Sequence, residues 1–396
     1  MVALAAGAAS AEPTFSIDFQ GPSLGIPDGF FGVPVTDGDI LTTSPPGPPG
    51  PNAPLPGPLP PPGIEIGALP GAVGAVAGGL GILPGAPGLL ELDALSYGRD
   101  QGDQLFFSVD EFAAGVPTSP VDVFTEGVAG AAEASADVFV YLGPVVPAPP
   151  GPPIGNAAAI DGDGLAPSGL PGLGLIEPNP PTVGAIPDPG DNLDGLDMDT
   201  TFADLTGPVF FSLDSAFPDF LEPFPVNSGT AIGNGFSGAD VLLSFAGAAP
   251  VVAIPAALLG LDLLGFDTDD LDALVYDDAD GTLSLTPPDT IYFSVRRGSA
   301  VIGAPDSLFG VPIEEGDVLG IPTAAGLPPS LVIAAELMGL GTLRSGTAGP
   351  FGPDDLDALD VIGQPAPLPS VGSLGLALLV LLMTAGGARA GRTPRS

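Results

Sequence analysis

The chain has 396 residues, 47 of them acidic against 7 basic, for a formal net charge of −40. It contains no His, no Cys and no Lys, which excludes serine and cysteine triads, disulfides, Schiff bases, the phosphate-loop lysine and N/S zinc sites. Such a negative surface repels phosphate backbones and excludes nucleic acid as a partner, while 60 Gly and 52 Pro favour short strands between turns over long helices.

Small apolar residues fill positions 2–11, and Ala9-Ser10-Ala11 before Glu12 fits a small-residue cleavage site. Residues 1–11 are read as the remnant of a signal peptide whose start lies upstream; an ordinary chain terminus is the alternative.

From there three short signatures recur in fixed order. The first is Phe15-Ser16-Ile17-Asp18, Phe107-Ser108-Val109-Asp110, Phe211-Ser212-Leu213-Asp214 and Phe293-Ser294-Val295-Arg296, with starts 92, 104 and 82 residues apart. The second follows at offsets of 23, 29, 28 and 23: Gly38-Asp39-Ile40-Leu41, Ala136-Asp137-Val138-Phe139, Ala239-Asp240-Val241-Leu242 and Gly316-Asp317-Val318-Leu319. The third closes each copy: Leu92-Asp93-Ala94-Leu95, Leu193-Asp194-Gly195-Leu196, Leu271-Asp272-Ala273-Leu274 and Leu356-Asp357-Ala358-Leu359. Self-similarity at this period marks a repeat architecture. Residues 12–364 therefore form a four-repeat acidic β body, with copies at about 12–104, 105–207, 208–290 and 291–364.

Alternation and Gly/Pro/Asp punctuation predict about four strands per copy. In the third they fall at 209–214, 240–245, 251–258 and 272–277. The Pro/Gly-rich stretches 45–63 and 143–190 are expected to loop away from the packed body. The fold class is all-β, a four-repeat β-propeller-like array; tandem β-sandwich modules are the alternative. Each third signature lies close enough to the next copy's first signature to form a hairpin with it. That leaves the first signature of copy 1 and the third of copy 4 unpartnered at opposite ends of the chain, and pairing them would close a ring.

The chain ends with an uncharged, Leu-dense run over 371–388, then Arg389, Arg392 and Arg395. Eighteen helical residues span about 27 Å, enough to cross a hydrocarbon core, and the arginines are the flank expected on the cytoplasmic side. Just before the run stand Pro365-Ala366-Pro367-Leu368-Pro369-Ser370. This tail, 365–396, resembles the PEP-CTERM class of bacterial sorting tails in its VPLPA-like variant, with Pro367, Leu368 and Pro369 as the sorting motif and Arg389 and Arg392 in the basic tip. The resemblance implies an exosortase-type membrane enzyme as partner and cleavage near the Pro motif. It also implies transient membrane insertion through the tail and delivery to the cell envelope or extracellular matrix.

Aspartates crowd around the third signature, and Ca²⁺ is the ion that oxygen-only turns of this kind suit. The candidate ligands are Asp269, Asp270 and Asp272, then Asp278 and Asp280, and Asp161 and Asp163 in a short Asp-Gly repeat. The competing reading makes these residues turn formers that bond their own backbone. Arg296-Arg297 breaks the pattern of the first signature, either neutralising nearby aspartates or marking a surface contact. Together these features point to a non-catalytic exported surface or matrix repeat protein that binds Ca²⁺ and meets exopolysaccharide. The alternative is a secreted carbohydrate-active enzyme working through paired carboxylates.

Overall fold

Short β-branched and aromatic runs, each cut off by Gly, Pro or Asp, can bury their apolar faces only by stacking against one another. The computed structural model describes residues 12–43, 60–68, 79–82, 92–98, 104–110, 113, 115, 122–123, 134–143, 155–165, 169–177, 190–214, 228–245 and 247–362. The expected leader at 1–11, the expected sorting motif, the basic tip and the apolar run 371–388 lie outside them, as do most of the two Pro/Gly-rich stretches. Among the described residues no helix is long and apolar enough to cross a membrane.

Among the described residues sixteen strands form four antiparallel four-stranded sheets. The first contains β1 (Glu12–Ile17), β2 (Ile40–Thr42) and β3 (Gly63–Ile66). The second is β4 (Ala94–Ser96), β5 (Phe106–Ser108), β6 (Val138–Tyr141) and β7 (Asn156–Ile160). The third is β8 (Leu193–Met198), β9 (Val209–Leu213), β10 (Val241–Ser244) and β11 (Val251–Ile254). The fourth is β12 (Leu271–Asp277), β13 (Thr290–Val295), β14 (Val318–Gly320) and β15 (Ser330–Ile333). The last strand, β16 (Leu356–Ile362), returns to the first sheet and pairs with β1 from Glu12↔Ile362 to Ile17↔Leu356. The chain is a four-bladed β-propeller closed by its two ends, and the sandwich alternative falls away. Each blade takes its first strand from the third signature of the preceding copy, so blades and sequence copies are offset by one strand.

Two expectations are corrected: the stretch 143–190 does not loop away throughout, since it supplies β7 and buries Leu173 and Leu175 in a seam, and one predicted strand is too long. The stretch 251–258 is β11 only to Ile254; Pro255 then starts a short helix, α2 (Ala256–Leu259), ended by Gly260 at φ 79°. Proline lacks the N–H a ladder needs, and its fixed φ suits a helix start. An earlier short helix, α1 (Gly229–Asn234), precedes β10.

The third-signature strands β4, β8, β12 and β16 lie innermost and touch one another around the axis. Wedges of apolar side chains fill the seams between blades. Between blades 3 and 4, Phe210, Val241 and Ile254 meet Leu271, Leu274 and Phe293; between blades 4 and 1, Ala273 and Val318 meet Phe15 and Ile17.

The serine of the first signature ties every seam. Ser16 donates to the Leu92 carbonyl at 3.0 Å, Ser108 to Leu193 at 2.9 Å, Ser212 to Leu271 at 3.0 Å and Ser294 to Leu356 at 2.7 Å. The acceptor is always the first leucine of the next blade's third signature, and the fourth bond holds the closing strand.

Candidate metal centre at the acidic mouth

A fourfold repeat carries each signature residue to the axis four times. The aspartate of the third signature, Asp93, Asp194, Asp272 and Asp357, is buried in every blade. Asp357 feels the charges of Asp272 and Asp93, and Asp194 that of Asp93, so the four converge at one mouth of the ring. The preceding position adds Asn192, Asp270 and Asp355. The end of the first signature adds Asp18 and Asp214, and in the fourth blade Arg296, all buried.

Two guanidinium groups answer this charge. Arg296 Nη1 lies 2.5 Å from Asp214 Oδ2 and 3.7 Å from Asp270 Oδ2. Arg297 reaches Asp18 at 2.9 Å and Asp355 at 3.9 Å. Of the two readings of this arginine pair, neutralisation is therefore the one that holds. Arg344, the remaining described arginine, is committed elsewhere, to Asp317 at 2.5 Å and Glu336 at 2.9 Å.

The compensation is incomplete. Asp194 Oδ2, both oxygens of Asp270, Asp355 Oδ1 and Asp357 Oδ2 are buried and accept no hydrogen bond. Burial pushes Asp194, Asp270, Asp272 and Asp357 well above the usual carboxylate range, and neighbouring aspartates push them further. Asp355 is pushed up to about 8 by burial, against the pull of Arg297. The approach of Asp270 to Asp214 becomes a hydrogen bond only when one of them carries a proton. A buried carboxylate cluster of this kind relieves itself by taking up protons or by binding a cation.

The candidate ligands read from the sequence separate into distinct roles. Asp270 and Asp272 stand at the axis. Asp269 does not: it accepts the Val301 amide at 2.7 Å and the Asp262 amide at 2.7 Å, a structural cross-link. Its counterparts act alike, Asp191 on the Thr230 and Ile176 amides and Asp354 on those of Ser23 and Gly341. Asp278 bonds the Thr282 and Leu283 amides, and Asp280 bonds Thr282 and the Thr286 hydroxyl. These two, with Asp289, bring one oxygen each within 4.8 Å of one another. Asp161 accepts the Gly164 amide and Asp163 that of Leu165. Asp161 groups with Asp137 and Glu177 in the same way, whereas Asp163 is not in that group. Glu177 is pushed up to about 10 by burial and by the charge of Asp137.

Asp194 and Asp214 complete the axial group but were not singled out as ligands from the sequence. Their signal was present, since each occupies a fixed place in a signature, and a fixed place in a closed ring means convergence on the axis. Comparison with protein-family models, curated proteins and solved structures finds no match to this chain.

Proposed function

We propose that the chain is a non-catalytic exported scaffold of the cell surface or extracellular matrix that binds Ca²⁺ at its acidic mouth and meets exopolysaccharide through it. The observation that carries the reading is the surplus of buried carboxylate oxygens over guanidinium groups at the axis. Oxygen-only ligands select hard cations, and Ca²⁺ tolerates an irregular set completed by water. Export and sorting rest on the sequence of the tail, whose processing by an exosortase-type enzyme would release the acidic body.

Thermal melting of the full chain with and without millimolar Ca²⁺ tests the cation. A rise in melting temperature is expected, and no change refutes it. Incubation with a panel of polysaccharides tests the rest. Ca²⁺-dependent co-sedimentation without release of reducing sugar is expected. Release of reducing sugar that Asp272→Asn abolishes would overturn the non-catalytic reading in favour of a carbohydrate-active enzyme.

A further inference from the structure

We infer that the ion has one defined seat, the seam between blades 3 and 4, on Asp194, Asp214 and Asp270. The inference rests on the reading of the mouth as cation-binding and assigns its residues.

Each of the three offers an oxygen, and these oxygens all lie within 4.8 Å of one another. Two oxygens on one Ca²⁺ ion can be at most about twice the Ca–O distance apart, roughly 4.6–5.2 Å, so one ion can reach all three. Asp214 and Asp270 are fully buried and Asp194 is 5% exposed. Neither oxygen of Asp270 accepts a hydrogen bond, nor does Asp194 Oδ2, so the oxygens an ion needs are already stripped of other donors. Buried carboxylate oxygens are normally satisfied, and in this group Asp270 departs from that rule at both of its oxygens.

The charge points to the same stoichiometry. Among the described residues, Arg296 is bonded to Asp214 and lies near Asp270, so one guanidinium faces these three carboxyl groups. The remaining two negative charges match one divalent ion. The ligands come from two blades, Asp194 and Asp214 from the third and Asp270 from the edge of the fourth, so the ion would clamp that seam. Mg²⁺ holds its own waters and demands near-ideal octahedral geometry, and it is the weaker candidate for a three-carboxylate seat set on the ends of three strands.

The position of Asn192 supplies a gain-of-function test. It occupies the place held by Asp270 and Asp355 in other blades, and its Nδ2 approaches Asp194 Oδ1 at 3.4 Å. Asn192→Asp adds a fourth carboxylate beside the seat.

The experiment is calorimetric titration of Ca²⁺ into the full chain and four variants, each first checked for a cooperative melt. Wild type is expected to bind Ca²⁺ with this seat as its tightest site. Asp194→Asn and Asp270→Asn are expected to weaken that site about tenfold or more, the scale on which shells around a metal act. Asn192→Asp should tighten it, and Asp280→Asn, in the exposed turn, should leave it unchanged. If the two Asp→Asn variants fail to fold, Asn192→Asp decides alone: unchanged affinity overturns the seat. Ca²⁺ binding that survives Asp194→Asn and Asp270→Asn but is lost in Asp280→Asn overturns the seat while sparing the cation reading. No Ca²⁺ binding by wild type overturns both.

Discussion

Removing the four seam hydroxyls one at a time tests whether the ring is held as described. In Ser16→Ala, Ser108→Ala, Ser212→Ala and Ser294→Ala the lost bond is an O–H···O=C contact of 2.7–3.0 Å. All four serines are 0% exposed, so water cannot take over the bond. Losing a neutral hydrogen bond costs about 1 kcal/mol, and a leucine carbonyl short of a partner raises the cost to about 1–2 kcal/mol per site. The seams are separate, so the effects should add. The quadruple variant then loses about 4–8 kcal/mol, a large part of the roughly 5–15 kcal/mol that holds a typical domain together. Urea unfolding at equilibrium measures this: the midpoint falls in each single variant while the slope stays constant. Ser294→Ala should be the most damaging, because its acceptor, Leu356, begins the closing strand. Single variants all within about 0.3 kcal/mol of wild type would refute the argument.

Two further outcomes follow from the same geometry. At the opposite mouth the innermost strands turn amides toward the preceding blade, where side chains accept them. Asp197 Oδ2 accepts the Tyr276 amide at 2.9 Å, Asp360 Oδ2 accepts that of Tyr97 at 2.5 Å, and Ser96 Oγ accepts that of Met198 at 3.1 Å. Asp197→Ala should cost about 1–3 kcal/mol in urea unfolding by orphaning a buried amide, while Asp197→Asn, which keeps an acceptor, should cost less than half as much; equal losses would count against the bond. The second outcome concerns pH. Asp37 and Asp39 are pushed up to about 6 by burial, and Asp355 to about 8. A carboxyl whose pKa is higher folded than unfolded binds its proton more tightly in the folded state. Its contribution to stability is complete below the unfolded value near 4 and is lost as pH rises through the folded value. With a chelator present, the urea midpoint should therefore fall between pH 4 and pH 8, and millimolar Ca²⁺ should restore at pH 8 only the share lost at the mouth, not that of Asp37 and Asp39. A midpoint that rises with pH under chelation would contradict the raised values.

The closed ring was legible because the signatures are strand-length and recur in order, so the strand pairing β1–β16 could be deduced from two unpartnered ends. The roles of the aspartates were not, because position two of the second and third signatures looks alike in one dimension. Asp39, Asp240 and Asp317 in the second signature are cross-links: Asp240 accepts the Ser237 and Ala256 amides, Asp39 those of Thr36 and Ala68, and Asp317 those of Glu314 and Ala335. Asp93, Asp194, Asp272 and Asp357 in the third face the axis. Only the sheet decides which side a residue takes, since neighbouring positions point to opposite faces. That rule also parts Asp269 from Asp270. A further repeat went unread: the loops 27–34 and 305–312 share a Pro-Asp start and a Gly-Val-Pro end. Asp28 bonds the amides of Phe30, Phe31 and Val33, and Asp306 those of Leu308, Phe309 and Val311. Both aspartates shape their own turn and also accept an amide from a distant strand, Asp28 that of Ile64 and Asp306 that of Leu331.

The small residue at the third place of the closing signature explains why the acids meet at a mouth and not along a channel. Ala94 packs in the seam cluster of Leu193 and Leu196, Ala273 in that of Leu356 and Leu359, and Ala358 in that of Leu92 and Leu95. Gly195 completes the cycle: a methyl group there would lie 3.0 Å from both Leu271 Cδ2 and Leu274 Cβ, and 2.7 Å from Ser212 Oγ. Each axial strand thus fits a small residue beneath two leucines of the next blade. With four blades even opposite strands touch, β4 with β12 and β8 with β16, so the middle of the ring is packed by these strands. Carboxylates one residue before the small position are forced to the end of the strand, where all four blades deliver them together. If the mouth holds a cation as proposed, the small residues and leucines packed between the axial strands close the axis beneath it.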